Sequence, residues 1–112
     1  MEKKKNPADR YGDTPLHFAA QEGHLEICSL IIENISDQNP GDMNPAAIDG
    51  ETPLHRAAQN GHIEVCRLIM AKVSDKNPVD EDGDTPLDLA RRRGHTEVCQ
   101  LFEENLEDGN PN

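Results

Sequence analysis

Asp13-Thr14-Pro15-Leu16-His17-Phe18-Ala19-Ala20-Gln21-Glu22-Gly23-His24-Leu25-Glu26-Ile27-Cys28 decides the fold, because the chain contains it in three versions. The second reads Glu51-Thr52-Pro53-Leu54-His55-Arg56-Ala57-Ala58-Gln59-Asn60-Gly61-His62-Ile63-Glu64-Val65-Cys66. The third reads Asp84-Thr85-Pro86-Leu87-Asp88-Leu89-Ala90-Arg91-Arg92-Arg93-Gly94-His95-Thr96-Glu97-Val98-Cys99. Thr52 and Thr85 lie 33 residues apart and Thr14 and Thr52 lie 38 apart, so five residues are inserted after the first copy. Self-similarity at such a period marks stacked supersecondary units, each unable to bury its apolar side alone.

Each copy spells two helices. Thr14, Thr52 and Thr85 are suited to cap the first, since a hydroxyl can accept from an orphan amide. Pro15, Pro53 and Pro86 follow at the first helical position, where a missing N–H costs nothing. Gly23, Gly61 and Gly94 permit the left-handed turn that stops it. A second helix is predicted from apolar residues at helical spacing: Ile27, Leu30 and Ile31 in unit one, Val65, Leu68 and Ile69 in unit two. Helices this short are marginal alone in water, so Ala19, Ala20, Ala57 and Ala58 must pack against neighbouring units.

The period, the Thr-Pro-Leu-His-x-Ala signature and the helix–turn–helix reading resemble the ankyrin repeat, and the likeness covers nearly the whole chain. Three in-phase copies, each continuing into Gly-His-x-Glu-x-Cys, make the signal specific. The resemblance implies a mainly α fold: an ankyrin-repeat solenoid of stacked helix–turn–helix units with β-hairpin finger loops. The expected organisation is one domain over 1–112, with units at about 6–38, 44–76 and 77–112. Asn6-Pro7 to Gly12, Asn44-Pro45 to Gly50 and Asn77-Pro78 to Gly83 share one spacing and mark the fingers. The insertion falls at 39–43, where Asn39-Pro40 duplicates the Asn-Pro dipeptide.

The chain departs from the family where a glycine usually ends the second helix. Ile35, Val73 and Leu106 stand there, and Gln38, Lys76 and Gly109 replace the usual buried Val three residues on. None of the first three suits a positive φ. The expectation is that the apolar anchor has moved and the helix runs on to Ile35 and Val73. In unit three, Asp88 replaces the signature His in a capping-box position, and Arg91-Arg92-Arg93 make the unit polar, as a terminal cap requires. Residues 2–5 hold the register of a preceding helix end without its apolar anchor. A complete small protein and a piece of a longer array both fit.

Composition narrows the function classes. The chain has 112 residues, 34% hydrophobic and 29% charged, with one Tyr, two Phe and no Trp, so the expected core is thin and lacks a bulky aromatic centre. The formal net charge of −11 disfavours nucleic acid and anionic membrane as partners and is compatible with a protein partner bearing a basic surface. No apolar run reaches the ~18–20 residues of a membrane span, and the start lacks a signal-peptide core. Three cysteines cannot all pair within one chain, which points to a reducing, intracellular and cytoplasmic setting. A monomer is expected.

Candidate chemistry is sparse. His24/Cys28, His62/Cys66 and His95/Cys99 sit four residues apart on one helical face, a spacing open to a metal site or an activated thiolate. The favoured reading is a small buried Cys and a His at a helix start. Equivalent residues on packed helices lie ~8–10 Å apart, beyond disulfide reach. His17 and His55 have no paired acid and nucleophile; the resemblance gives them a hydrogen bond from one turn to the next. Asp80-Glu81-Asp82-Gly83-Asp84 lacks the loop length and closing Glu of an EF-hand. No phosphate loop, catalytic set, cofactor site or metal site emerges, and an enzyme is not expected.

The resemblance does imply a binding face, made of finger tips and the exposed side of each first helix. Carried over by position, unit one contributes Arg10, Tyr11, Asp13, Phe18, Gln21 and Glu22. Unit two contributes Ile48, Asp49, Glu51, Arg56, Gln59 and Asn60, and unit three Glu81, Asp82, Asp84, Leu89, Arg92 and Arg93. Tyr11, Phe18 and Arg56 are the candidate anchors, since aromatics and Arg dominate interface energetics. The implied function is a protein–protein interaction module or scaffold; the alternative is a structural piece of a longer array or a ligand-free scaffold.

Overall fold

The computed structural model describes residues 8–36 and 44–108. The insertion expected at 39–43, residues 2–5, Asn6-Pro7, Gln38 and Gly109 lie outside the described residues. Six helices follow one another: α1 Pro15–Glu22, α2 Leu25–Ser36, α3 Pro53–Gln59, α4 Ile63–Lys72, α5 Pro86–Arg93 and α6 Thr96–Asp108. Within each unit the two helices pack together. Between units, α1 packs on α3, α3 on α5, α2 on α4 and α4 on α6. The molecule is correspondingly long, 48 × 26 × 23 Å.

The starts of α1, α3 and α5 share one design. The Thr14, Thr52 and Thr85 hydroxyls accept from the amides of His17, His55 and Asp88 at 3.4, 3.2 and 3.1 Å. The N3 side chain returns the favour, completing a capping box in all three units. In unit three the Asp88 carboxylate accepts from the Thr85 amide at 3.0 Å. Its negative charge at a helix N-terminus is stabilising.

Leu16, Leu54 and Leu87 enter one continuous core with Ala20, Ala58, Ala90, Cys28, Cys66, Ile32, Val65, Ile69 and Met70. Each large side chain so buried contributes about 1.5–3 kcal/mol, which is what makes helices of marginal length persist. Two expectations are corrected here. Phe102 is the largest fully buried side chain, so the core does contain a bulky aromatic, in unit three. The inward face of α2 is Cys28, Ile32 and Ile35, with Ile31 partly buried, whereas Ile27 and Leu30 are exposed.

The ends of the second helices differ from one another. α2 runs through Ile35, which is buried, and α6 runs past position 106. α4 instead stops at Lys72, and Val73 is an extended C-cap with φ −113° and ψ 153°. The expected run-on to Val73 is therefore corrected. Val73 still packs on the core, and the Lys76 ammonium donates to its carbonyl at 3.2 Å. A lysine at this place thus satisfies an orphan helix-end carbonyl.

The fingers are also corrected: among the described residues they contain no β-strand. Each is a tight turn closed by backbone bonds. Asp9 N–H donates to Asp13 C=O at 2.9 Å, Ala47 to Glu51 at 2.9 Å and Asp80 to Asp84 at 2.9 Å. Adjacent fingers are laced together, Ile48 N–H to Tyr11 C=O and Glu81 N–H to Asp49 C=O, both at 2.9 Å.

Candidate functional site

Four histidines hold the units in register. The Thr14 amide, an obligate donor, lies 3.0 Å from His17 Nδ1. His17 Nδ1 therefore accepts, and Nε2–H donates to the Glu51 carbonyl of the next unit at 2.9 Å. His55 repeats the arrangement, with 3.1 Å from the Thr52 amide and 2.8 Å to the Asp84 carbonyl. Burial, and secondarily the nearby Arg56 charge, lowers the His17 pKa despite the carbonyl contact with Glu51. The ring is a neutral structural tie. His62 and His95 reach the other way, donating from Nε2 to the Gln21 and Gln59 carbonyls of the preceding unit at 2.9 and 3.0 Å. Sequence reading placed these two only at helix starts. The Gly-His pair repeated in each unit was the available signal, because the His62 ring lies over Gly23 and the His95 ring over Gly61, each the glycine of the preceding unit.

The repeated cysteines do not converge on a metal. Cys28 and Cys66 are buried, and burial pushes their thiols up to about 11 and about 12. Among the described residues, the grouping of acids close enough to share an ion is Asp80, Asp82 and Asp84. Other contacts account for it. Asp80 Oδ1 accepts the Asp82 and Asp84 amides at 2.9 Å each, folding the turn. Asp84 is gripped by both Arg92 nitrogens at 2.9 and 3.1 Å, and that hydrogen bonding holds its carboxyl below the usual range.

The finger and first-helix side carries the residues expected to bind. Arg10, Tyr11, Phe18, Glu22, Ile48, Asn60, Glu81, Asp82, Arg92 and Arg93 are exposed, and Asp13, Gln21, Asp49, Glu51, Gln59 and Asp84 are half-buried. Leu89 differs: it is buried, and so is withdrawn from that face. An isobutyl group gains by leaving water wherever packing admits it. Arg93 reaches back to the Gln59 side chain at 3.4 Å.

Arg56 is the centre of a network across two units. Its Nε donates to Glu51 Oε1 at 2.8 Å, Nη1 to Gln21 Oε1 at 3.0 Å and Nη2 to Asp13 Oδ1 at 2.8 Å. Burial disfavours its charge, but the bonds to Glu51 and Asp13 outweigh that and raise its pKa. Beside it, Tyr11, Asp13, Ala47, Ile48, Asp49 and Arg56 line an open cleft of about 250 Å³. Tyr11 and Ile48 stand over its rim, 60% and 72% exposed, and the Arg10 guanidinium lies 5.9 Å from the Tyr11 ring centre. Ala47 was missed from sequence. Its place in the finger is that of Asp9 and Asp80, whose turn-forming carboxylates it lacks, which leaves a small apolar floor.

Comparison with known families bears on residues 11–112. A model described as "Ankyrin repeats (3 copies)" matches residues 36–112, and one described as "Ankyrin repeat" matches residues 11–43. The chain belongs to the ankyrin-repeat family. No curated protein matches it significantly. Ankyrin repeats generally serve as protein–protein interaction modules and are typically not enzymes. No helix among the described residues is long and apolar enough to cross a membrane.

Proposed function

We propose that this ankyrin-repeat protein binds a protein segment across its fingers and first helices, with Tyr11, Ile48 and Phe18 as apolar contacts. The observation that carries the reading is the cleft between the first two fingers, where exposed Tyr11 and Ile48 stand beside buried Ala47 and half-buried Arg56. Leaving such side chains in water is justified when a partner buries them. Asp49, Glu81 and Asp82 follow along the fingers, so a ligand with an aliphatic or aromatic anchor and basic flanking residues is complementary. Arg56, held by Asp13, Gln21 and Glu51 through three of its five N–H groups, acts as a fixed wall of the cleft. The acidic charge supports a protein over a nucleic acid or anionic membrane, and a monomer in a reducing compartment fits the free thiols.

Affinity capture from cells with the natural chain beside a Tyr11→Ala/Phe18→Ala variant tests the reading. Loss of a specific protein with the helical signal retained supports it. Identical captured sets, or turnover of a small molecule by the purified chain, reject it.

A further inference from the structure

Most charged side chains of the finger and first-helix side are spent inside the molecule. Arg56 holds Asp13 and Glu51, and Arg92 holds Asp84. Asp9, Asp49 and Asp80 accept amides of their own turns. Four exposed residues differ: Arg10, Glu22, Glu81 and Arg93. Among the described residues Glu22 and Glu81 have no side-chain partner, Arg10 meets only the Tyr11 ring, and Arg93 only the Gln59 side chain at 3.4 Å.

These four stand at corners, and their signs alternate. Arg10, Ile48 and Glu81 hold one position in successive fingers, so that row runs cation, neutral, anion. Glu22, Asn60 and Arg93 hold one position at the ends of successive first helices, so that row runs anion, neutral, cation. Exposed Asp82 reinforces the Glu81 corner. The rows are separated by the length of α1, which is 8 residues or about 12 Å. Phe18 lies one turn ahead of Glu22 on the same face of α1, so exposed Phe18, Tyr11 and Ile48 fall within the frame. Successive units pack ~8–10 Å apart, which puts the corners of each row ~16–20 Å apart.

Resting on the binding face proposed above, we propose that its occupant is an amphipathic α-helix of a partner protein, carrying an apolar stripe between two charged flanks of opposite order. Over the fingers the flank runs acid then base, to meet Arg10 and Glu81. Over the first helices it runs base then acid, to meet Glu22 and Arg93. The width of the frame selects a helix. An extended segment is about 5 Å wide and meets one row, whereas a helix is about 10–12 Å across with its side chains and meets both. About three turns of helix span a row. The required charges sum to zero, so their order rather than net charge selects the partner. Half a rotation in the plane of the face returns the same four signs, so charge admits the helix in either direction. A helix with its two flanks exchanged matches in neither.

Two stapled helical peptides of about 15 residues are the probes. They share one composition and a Leu stripe; one carries the matching flanks and the other has them exchanged. Fluorescence anisotropy with the purified chain at low salt is expected to give the matching helix about tenfold tighter binding, a gap that narrows as salt is added. Arg10→Glu/Glu22→Lys/Glu81→Lys/Asp82→Asn/Arg93→Glu in the chain should reverse the preference, and exposure of all five positions favours a folded variant. If that variant does not fold, the finger substitutions Arg10→Glu/Glu81→Lys/Asp82→Asn alone should abolish the preference. Equal binding of the two peptides overturns the proposal, as does failure of both to bind, or a preference unmoved by these substitutions. Equal binding that is lost with Tyr11→Ala/Phe18→Ala overturns the charge order alone and leaves the interaction face standing. Capture from cells tests that face independently.

Discussion

Replacing Gly23 by Ala separates two costs that coincide at this position. Gly23 closes α1 with φ 74°, a left-handed conformation that an Ala adopts at a cost of about 1 kcal/mol. A methyl group there would also lie 2.5 Å from His62 Nδ1, so the ring must move and its 2.9 Å bond to the Gln21 carbonyl is lost. That bond contributes about 1 kcal/mol, and displacing a packed ring adds about 1 more. Gly94 provides the control, since it has φ 76° and nothing within 4 Å of the added carbon. Gly94→Ala should therefore cost ~1 kcal/mol and Gly23→Ala ~3 kcal/mol. In a chain of this size the first lowers Tm by about 4–8 °C and the second by roughly 12–24 °C. Urea unfolding followed by circular dichroism gives both values, and a cycle with His62→Ala isolates the ring. Equal costs at Gly23 and Gly94, or a His62→Ala background in which the Gly23→Ala penalty is undiminished, would refute the reasoning.

Three further outcomes are expected. Stability should fall as pH drops through about 6.5, because the lowered His17 pKa means the unfolded chain takes up that proton first. His17→Asp should remove that part of the slope in denaturant titrations at several pH values. A thiol reagent at neutral pH should label half-buried Cys99 in the native protein but reach Cys28 and Cys66 only on unfolding, as peptide mapping of modified cysteines would reveal. Arg56→Ala should destabilise by ~2 kcal/mol at neutral pH, by leaving Asp13 and Glu51 half-buried without their cation. Arg56→Lys should recover only part of it, because an ammonium cannot span three partners in one plane, and chemical denaturation of the pair measures the difference.

Much of the architecture was legible in the sequence because its signals are local. A Thr-Pro pair starts a helix and a Gly stops it within a few residues, and three in-phase copies imply stacking whatever the details. Unit-to-unit differences were not legible. Ile27 and Val65 hold the same register and similar side chains, yet one is half exposed and the other buried, because only Val65 has a unit ahead of it among the described residues. Leu89 reads as a surface position by analogy with Phe18 and Arg56, and packing took it inward.

By itself the sequence determined the repeat, the caps, the family and the polar character of the last unit. Tertiary structure alone decided that Arg56 is spent on Asp13, Gln21 and Glu51, that His62 and His95 tie each unit to the one before, and that Tyr11 and Ile48 meet across a cleft. The physical reason is range. Caps and turns are settled by neighbours along the chain, whereas burial, ion pairing and cleft shape depend on groups some 35 to 43 residues away that stacking alone brings together.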